Sequence, residues 1–458
     1  MACLLMRNIT KENLHRTAKY FMDTGRAKSV EEAMGILESF GLYIFVGSEV
    51  AESRDHQVAL LSLVNLARRT FLGGVHVVNA PDCSLIVPLA KSSTVPEAVA
   101  ELGGMNVRSM KQSWPVAIIG SIGVDVQILP SWRLTWQGWR GGVVPVKDGR
   151  RLEETVSIGI TPALAAACCV AEVFTYYSGD NPLAGHRDAG ISIWHPTTAW
   201  LRPDDSEPVL SFLPDRLWLV GLGNLGQAYA WLLACLPYGR DAELTLMLQD
   251  YDRLAESNDS TSLLTSASTI GHMKTRVTAE WLESRGFKVN ISERRFGLWT
   301  KRAPMEPRVA LFGVDNAATR ASLEEAGFEL VVETGLGSGP QGFRNFSLHT
   351  FPSSLRAVKL WSTHDLSNTT NVLNMPAYDR SKHPDLDECG LAQLASRTVG
   401  VPFVGLTAGA FAIAELLRRL HGGLAIELVS GSMAALEDVE VSFLDKRIYE
   451  FGHIAVAA

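Results

Sequence analysis

Val220-Gly221-Leu222-Gly223-Asn224-Leu225-Gly226 is the stretch whose reading decides the fold. It follows Leu217–Val220, an apolar run of strand length, and leads into Gln227–Leu236, whose composition suits a helix packed on a sheet. Glycines at 221, 223 and 226 let the backbone turn tightly, approach a phosphate and bring helix against strand. The helix N-terminus adds N–H donors and partial positive charge, so the unit suits an anion. Asp250 lies 24 residues beyond Gly226, where a dinucleotide-binding Rossmann unit places its ribose-binding acid. Taken alone, this motif favours NAD over ATP.

The pieces further along reverse that preference. Asp250-Tyr251-Asp252 closes an apolar run, Ser257-Asn258 follows, and Ile270-Gly271-His272-Met273-Lys274 comes next. A second strand, Val309–Gly313, ends at Val314-Asp315-Asn316-Ala317-Ala318-Thr319-Arg320, and the tip of a parallel strand is where α/β sheets place ligands. Asp250 would accept hydrogen bonds from a ribose hydroxyl in either reading. A dehydrogenase gives Lys274 no task, whereas nucleotidyl transfer needs cations because negative charge builds on the reacting phosphate. A carboxylate such as Asp315 beside a triphosphate suits magnesium. Asp315 or Asn316 could also cap the following helix, and both roles are compatible.

In this order, and with Cys389 ahead of a long small-residue helix, the set resembles the adenylating domain of the ubiquitin-activating enzyme superfamily, which includes the ThiF and MoeB proteins. The resemblance covers about residues 215–425. It implies a Rossmann-like α/β adenylating domain with a mixed sheet that uses ATP and Mg. It also implies that Gly221, Gly223, Asn224, Gly226, Asp250, Asn258 and Lys274 contact the nucleotide. Lys274 and Asp315 would be catalytic, with Asp315 associated with the metal. The family usually carries a phosphate-gripping arginine after its serine-asparagine pair, and Thr261 stands there in this chain. Relatives also take an arginine from the helix that opens the partner half. Spacing ahead of Ala33–Leu37 and the Leu42–Val46 strand makes Arg26 the candidate, with Arg16 as the alternative.

The polar, proline-bracketed segment Leu201-Arg202-Pro203-Asp204-Asp205-Ser206-Glu207-Pro208 divides the chain into residues 1–208 and 209–458. The first part follows the plan of the second: a strand at Leu42–Val46, a helix from about His56 to Phe71, a strand at Val75–Asn79. Its turn, Gly47-Ser48-Glu49-Val50-Ala51-Glu52, lacks the later glycines and carries two carboxylates, which repel a phosphate. Ile160–Glu172 likewise resembles Gly400–Ala412. The expectation is a degenerate, inactive adenylation-like domain followed by an active one.

The remaining signals narrow the class. A chain of 458 residues, 47% hydrophobic and 20% charged, is ordinary globular material of two to three domains. A net charge of −7 with scattered Lys and Arg gives no nucleic-acid surface. Met1–Asn8 lacks the core of a signal peptide, and the longest near-apolar stretches, Ile158–Val170 and Val401–Ala414, fall short of a membrane span, so the expected location is cytoplasmic. The six cysteines form no Cys-x-x-Cys, which excludes the usual paired-cysteine zinc knuckle.

Cys389, in Asp385-Leu386-Asp387-Glu388-Cys389-Gly390, occupies the loop crossing before the last small-residue helix. Autophagy-type activators and bacterial relatives from antiviral (antiphage) conjugation operons carry a nucleophilic cysteine there. Its acidic neighbours raise a thiol pKa, so a helix beginning near Gly390 has to offset them. The resemblance therefore implies an activating enzyme for a ubiquitin-like modifier protein, with Cys389 as thioester nucleophile and a conjugating enzyme as acceptor. A homodimer is common in the family, although a chain holding both halves needs no second copy to complete a site. The alternative is a sulfur-carrier or small-molecule adenylyltransferase without a thioester step.

Overall fold

The computed structural model describes residues 9–123, 130–239, 243–361, 372–383, 386–445, 449 and 451–456. Asp385, one of the carboxylates expected beside Cys389, and the stretch Met1–Asn8 lie outside these residues.

Seven strands make the first sheet: β1 (Gly41–Val46), β2 (Gly74–Val78), β3 (Met105–Val107), β4 (Val116–Ile119), β5 (Ser131–Gln137), β6 (Arg140–Pro145) and β7 (Ala189–Ser192). Their order is β3-β2-β1-β4-β5-β6-β7. The pairings from β3 to β5 are parallel, and β6 and β7 add on antiparallel. After a short strand, β8 (Phe212–Pro214), comes the second sheet: β9 (Arg216–Val220), β10 (Thr245–Gln249), β11 (Lys288–Ser292), β12 (Val309–Phe312), β13 (Leu330–Leu336), β14 (Asn345–Phe351), β15 (Ala425–Ser432) and β16 (Ala435–Leu444). Their order, β11-β10-β9-β12-β13-β14-β15-β16, repeats the first sheet strand for strand, with one antiparallel strand added at the edge. The parallel part again runs from β11 to β13. Near the C-terminus, β17 (His453–Ala455) pairs with β8.

Each sheet has its sequence signature. The central strands β4 and β12 are continuous apolar runs because both faces are covered, as parallel sheets require. The long helices Thr161–Ser178 and Pro402–Leu420 are rich in Ala, Gly and Cys, buried almost throughout, and packed on one another, so one hydrophobic core runs through both halves. Glu172 and Glu415 are buried within them and paired, with Arg187 at 2.6 Å and Arg419 at 2.6 Å respectively. No helix among the described residues is long and apolar enough to cross a membrane.

The two halves are joined by polar contacts at the ends of helices. Arg54, from the first half, donates to the carbonyls of Cys235 at 3.1 Å and Leu236 at 2.9 Å, satisfying orphan acceptors at the C-terminus of helix Asn224–Cys235. Trp231 Nε1 donates to Ser62 Oγ at 2.9 Å in the buried seam. The polar segment 201–208 is pinned to β6, where Arg140 lies 3.1 Å from Glu207.

Candidate active site

Strand β9 delivers the glycine turn at its C-terminal end. Gly221 has φ +83°, and a Cβ there would stand 2.8 Å from the Gly313 carbonyl oxygen, so the turn runs tight against the strand beside it. A Cβ on Gly226 would fall 2.0 Å from the Gly221 carbonyl oxygen, which fixes how closely the helix returns over the turn. Gly223 differs: a Cβ there would meet nothing within 4 Å. The space above Gly223, at the N-terminus of helix Asn224–Cys235, is therefore open, and that is the cradle a phosphate needs.

Asp250 holds the turn from below. It is nearly buried; its Oδ2 accepts from Leu222 N at 2.7 Å and its Oδ1 from Asp252 N at 2.9 Å. A carboxylate has about four acceptor sites, so capacity for a ribose hydroxyl remains. Lys274 opens helix Lys274–Glu283, with its ammonium 3.0 Å from Asp252 Oδ2 and 4.0 Å from Asp250 Oδ2. Asn258 lies in the short turn Glu256–Ser260 and uses Oδ1 to accept from Ala255 N at 2.8 Å. Asn224 ties the nucleotide helix to the last long helix: its Nδ2 donates to Val401 O at 3.1 Å, and a Cβ on Gly405 would collide with its Oδ1 at 2.0 Å. At the tip of β12, Asn316 caps helix Ala317–Ala321 by accepting from Thr319 N at 2.9 Å, while the neighbouring Asp315 is exposed. Among the described residues no cluster of three or more His, Cys, Asp or Glu is suited to a metal, so no such set accompanies Asp315. A lone carboxylate fits magnesium only with phosphate oxygens completing the shell.

The two candidate arginines have different partners. Arg26 is engaged away from the turn, donating to Ser178 O at 2.6 Å and Asp180 Oδ1 at 2.7 Å. Arg16, the alternative, lies against Thr261 and Gly400: its Cβ comes within 3.3 Å and its Nε within 3.6 Å of a Cβ built on Gly400, and the Thr261 methyl within 3.0 Å of the same point. Its backbone N–H donates to Ser260 Oγ at 3.1 Å and its Nε to Thr398 O at 2.7 Å. Burial and the neighbouring Arg397 push its pKa down to about 10 against the attraction of Asp315, so the guanidinium is still charged at neutral pH and shares its surroundings with that carboxylate. An arginine from the first half thus stands beside the position where relatives carry one in sequence.

Two further arginines escaped sequence reading. Arg68 donates to Asp259 Oδ2 at 3.0 Å and Oδ1 at 2.9 Å, and Arg69 donates to Leu263 O and Thr265 O, both at 2.9 Å. They fasten the loop after Asn258 to the first half, and nothing local in Ala67-Arg68-Arg69-Thr70 signals that partner.

In the first half the matching turn is filled from within. Glu49 accepts from Ser121 N through Oε1 at 3.0 Å and Oε2 at 3.1 Å, and a Cβ on Gly47 would strike Glu49 Oε2 at 2.1 Å. Glu49 stands where the second half has Gly223, and its carboxylate folds back over Gly47 and Ser121.

Cys389 is the second residue of helix Glu388–Ser396, which starts two residues earlier than the sequence suggests because Asp387 caps it by accepting from Gly390 N at 2.7 Å. The thiol belongs to the first turn of that helix, together with Glu388 and next to the capping Asp387. Gln393 Nε2 donates to Sγ at 3.5 Å. Cys389 is the one exposed cysteine among the described residues. Burial raises the thiols of Cys168 and Cys169 far above their ordinary value and pushes Cys235 up to about 12.

Fold and turn together define a paired, Rossmann-like α/β protein in which two copies of one sheet topology share a core. Residues 41–193 match the BilD N-terminal domain and residues 213–423 the BilD C-terminal domain. The bacterial E1-like protein BilD of Collimonas sp. (strain OK412) is 54% identical over 448 residues, 97% of each chain. The chain belongs to the BilD family of bacterial E1-like proteins. Among solved structures, E. coli MccB with succinimide is similar at a TM-score of 0.35 and 11% identity, over 50% of this chain and 64% of that one. TcdA (CsdL) is similar at a TM-score of 0.29 and 14% identity, over 45% of this chain and 86% of that one. The chain thus spans less than two thirds of MccB's length.

Proposed function

We propose that this protein activates a ubiquitin-like modifier with ATP. The modifier's C-terminal carboxylate attacks the α-phosphorus of ATP seated over Gly223, pyrophosphate leaves, and an acyl-adenylate forms. The Cys389 thiolate then attacks the acyl carbon, the carbon–oxygen bond to AMP breaks, and the resulting thioester passes to the cysteine of a conjugating enzyme. The observation that carries the reading is the contrast between the open cradle at Gly223 and the carboxylate-filled turn at Gly47. One copy of the repeat offers a phosphate site, and the other would supply Arg16 to it.

Each residue has a task in this scheme. The N–H groups at the start of helix Asn224–Cys235 take phosphate oxygens, and Asp250 takes a ribose hydroxyl while holding the turn. Lys274 and Arg16 balance charge that grows on the leaving pyrophosphate. Asp315 would hold magnesium, which when bound neutralises phosphate charge. Cys389 works at a helix N-terminus, where a thiolate is favoured. The E1-like name of the Collimonas relative supports the class.

The test is intact mass after mixing the protein with magnesium-ATP and a ubiquitin-like protein from the neighbouring genes. The expected result is a modifier-sized adduct that thiol reductant removes and that Cys389→Ala never forms. ATP-dependent pyrophosphate release without such an adduct would instead establish a sulfur-carrier or small-molecule adenylyltransferase. Absence of both would refute the reading.

A further inference from the structure

The N-terminal arm, residues 10–28, carries Arg16, yet most of its long-range polar contacts go to the segment that bears Cys389. Downstream of the cysteine, Arg397 Nε donates to Lys11 O at 3.1 Å, Arg16 Nε to Thr398 O at 2.7 Å, and Thr17 Oγ1 to Gly400 O at 3.2 Å. Upstream of it, Lys382 Nζ donates to Lys28 O at 2.6 Å. Also upstream, Tyr378 enters a buried cluster with two residues of helix Ala18–Asp23. Lys19 Nζ donates to Asp23 Oδ1 at 2.6 Å and to Tyr378 OH at 2.7 Å, and Tyr378 OH donates to Asp23 Oδ1 at 2.5 Å.

The three-way cluster is an unusual way to fill this space. Lys19 has no exposed surface, and Asp23 and Tyr378 have almost none. Burial pulls the Lys19 pKa down and pushes the Asp23 pKa up, and their mutual attraction opposes both shifts without cancelling them. A buried ion pair adds little net stability over apolar residues of the same volume. What it supplies is direction, because three mutual hydrogen bonds admit one placement of the tyrosine hydroxyl.

We propose that Lys19, Asp23 and Tyr378 are positioning residues that lock the Cys389 segment to the arm carrying Arg16. Fastened on both sides of the cysteine, the segment and the arm move as one body. The thiol therefore keeps a fixed relation to the phosphate-binding arginine. Its catalytic consequence rests on the function proposed above; the mechanical claim does not.

The experiment uses the full chain and two variants. Tyr378→Phe removes the hydroxyl. The double variant Lys19→Met, Asp23→Leu removes both charges together and so leaves no lone buried ion. In both, amide hydrogen exchange over residues 386–400 is expected to quicken about fivefold or more, with helix Asn224–Cys235 unchanged. Thioester formation with the modifier should slow about tenfold, the scale of one lost hydrogen bond between charged groups. Pyrophosphate exchange should stay within about twofold, since the glycine turn is untouched. Unchanged exchange over 386–400, quickening spread over the whole chain, or an equal fall in both rates would each overturn the proposal. If the wild type shows no ATP-dependent pyrophosphate exchange, the proposed function fails, and the hydrogen-exchange result still decides whether the lock exists.

Discussion

Two neighbouring glycines should behave oppositely when given one methyl group. In Gly226→Ala the new Cβ would lie 2.0 Å from the Gly221 carbonyl oxygen, where ordinary contact begins at 3.4 Å. The turn must open by more than an ångström, against the bonds Gly221 N to Gln249 O at 2.9 Å and Gly313 N to Val220 O at 2.8 Å. Overpacking of this kind costs roughly 1–3 kcal/mol, and the gain from replacing a helical glycine recovers only about 0.5–1 kcal/mol of it. Gly226→Ala is therefore expected to melt several degrees early even without nucleotide. In Gly223→Ala the Cβ meets nothing within 4 Å, so the loss of stability should be no more than about 1 kcal/mol, the preference of a helix N-cap for glycine over alanine. The methyl does, however, stand in the mouth above the helix N-terminus. ATP affinity should fall about tenfold or more, at least about 1.4 kcal/mol. Thermal melts of the nucleotide-free proteins and calorimetric titration with magnesium-ATP separate the two effects. A Gly223→Ala protein that binds ATP as tightly as wild type would show that the phosphates lie elsewhere. A Gly226→Ala protein with an unchanged melt would refute the steric argument.

Other outcomes follow from the same geometry. Arg16→Met should slow pyrophosphate exchange about 10²-fold, the scale of losing one preorganised donor, whereas Arg26→Met should change it less than threefold; the reverse order would return the phosphate contact to Arg26. Iodoacetamide at pH 8 followed by peptide mapping should modify Cys389 and spare Cys168, Cys169 and Cys235, whose raised pKa values leave almost no thiolate. Asp259→Asn should destabilise the contact between the halves by about 1–2 kcal/mol at pH 7, a figure held low because the carboxylate is partly exposed. Burial raises the Asp259 pKa, but hydrogen bonds and charge from Arg68 and Arg69 outweigh it, so the folded value lies below the unfolded one. That stability is fully present above about pH 4 and is lost as pH falls through the folded value, so the melting difference between wild type and variant should shrink only in that acid range.

How much of this was legible in the chain depends on the distance over which each feature is encoded. The glycine turn, the strand-tip acids Asp250 and Asp315, and the cap at Asn316 are local, because a few consecutive residues fix the dihedral angles and the apolar period that create them. The duplication was equally visible, since the same strand–turn–helix plan recurs in both halves and the two sheets share one strand order. Even the worn turn could be read from its two carboxylates, though not that Glu49 folds back onto Ser121 to fill it.

Sequence by itself therefore determined the paired α/β fold and the position of the open glycine turn. It left the arginine open between Arg26 and Arg16, because both precede the same strand at plausible spacing and only their partners separate them. Those partners are hundreds of residues away: Arg16 meets Thr398 and Gly400, Arg26 meets Asp180, and Lys19 meets Tyr378. Charge placement of this kind is set by how two packed domains bring remote segments together, and no local period or propensity records it. The tertiary structure alone decided which partners each arginine meets and which arm holds the Cys389 segment.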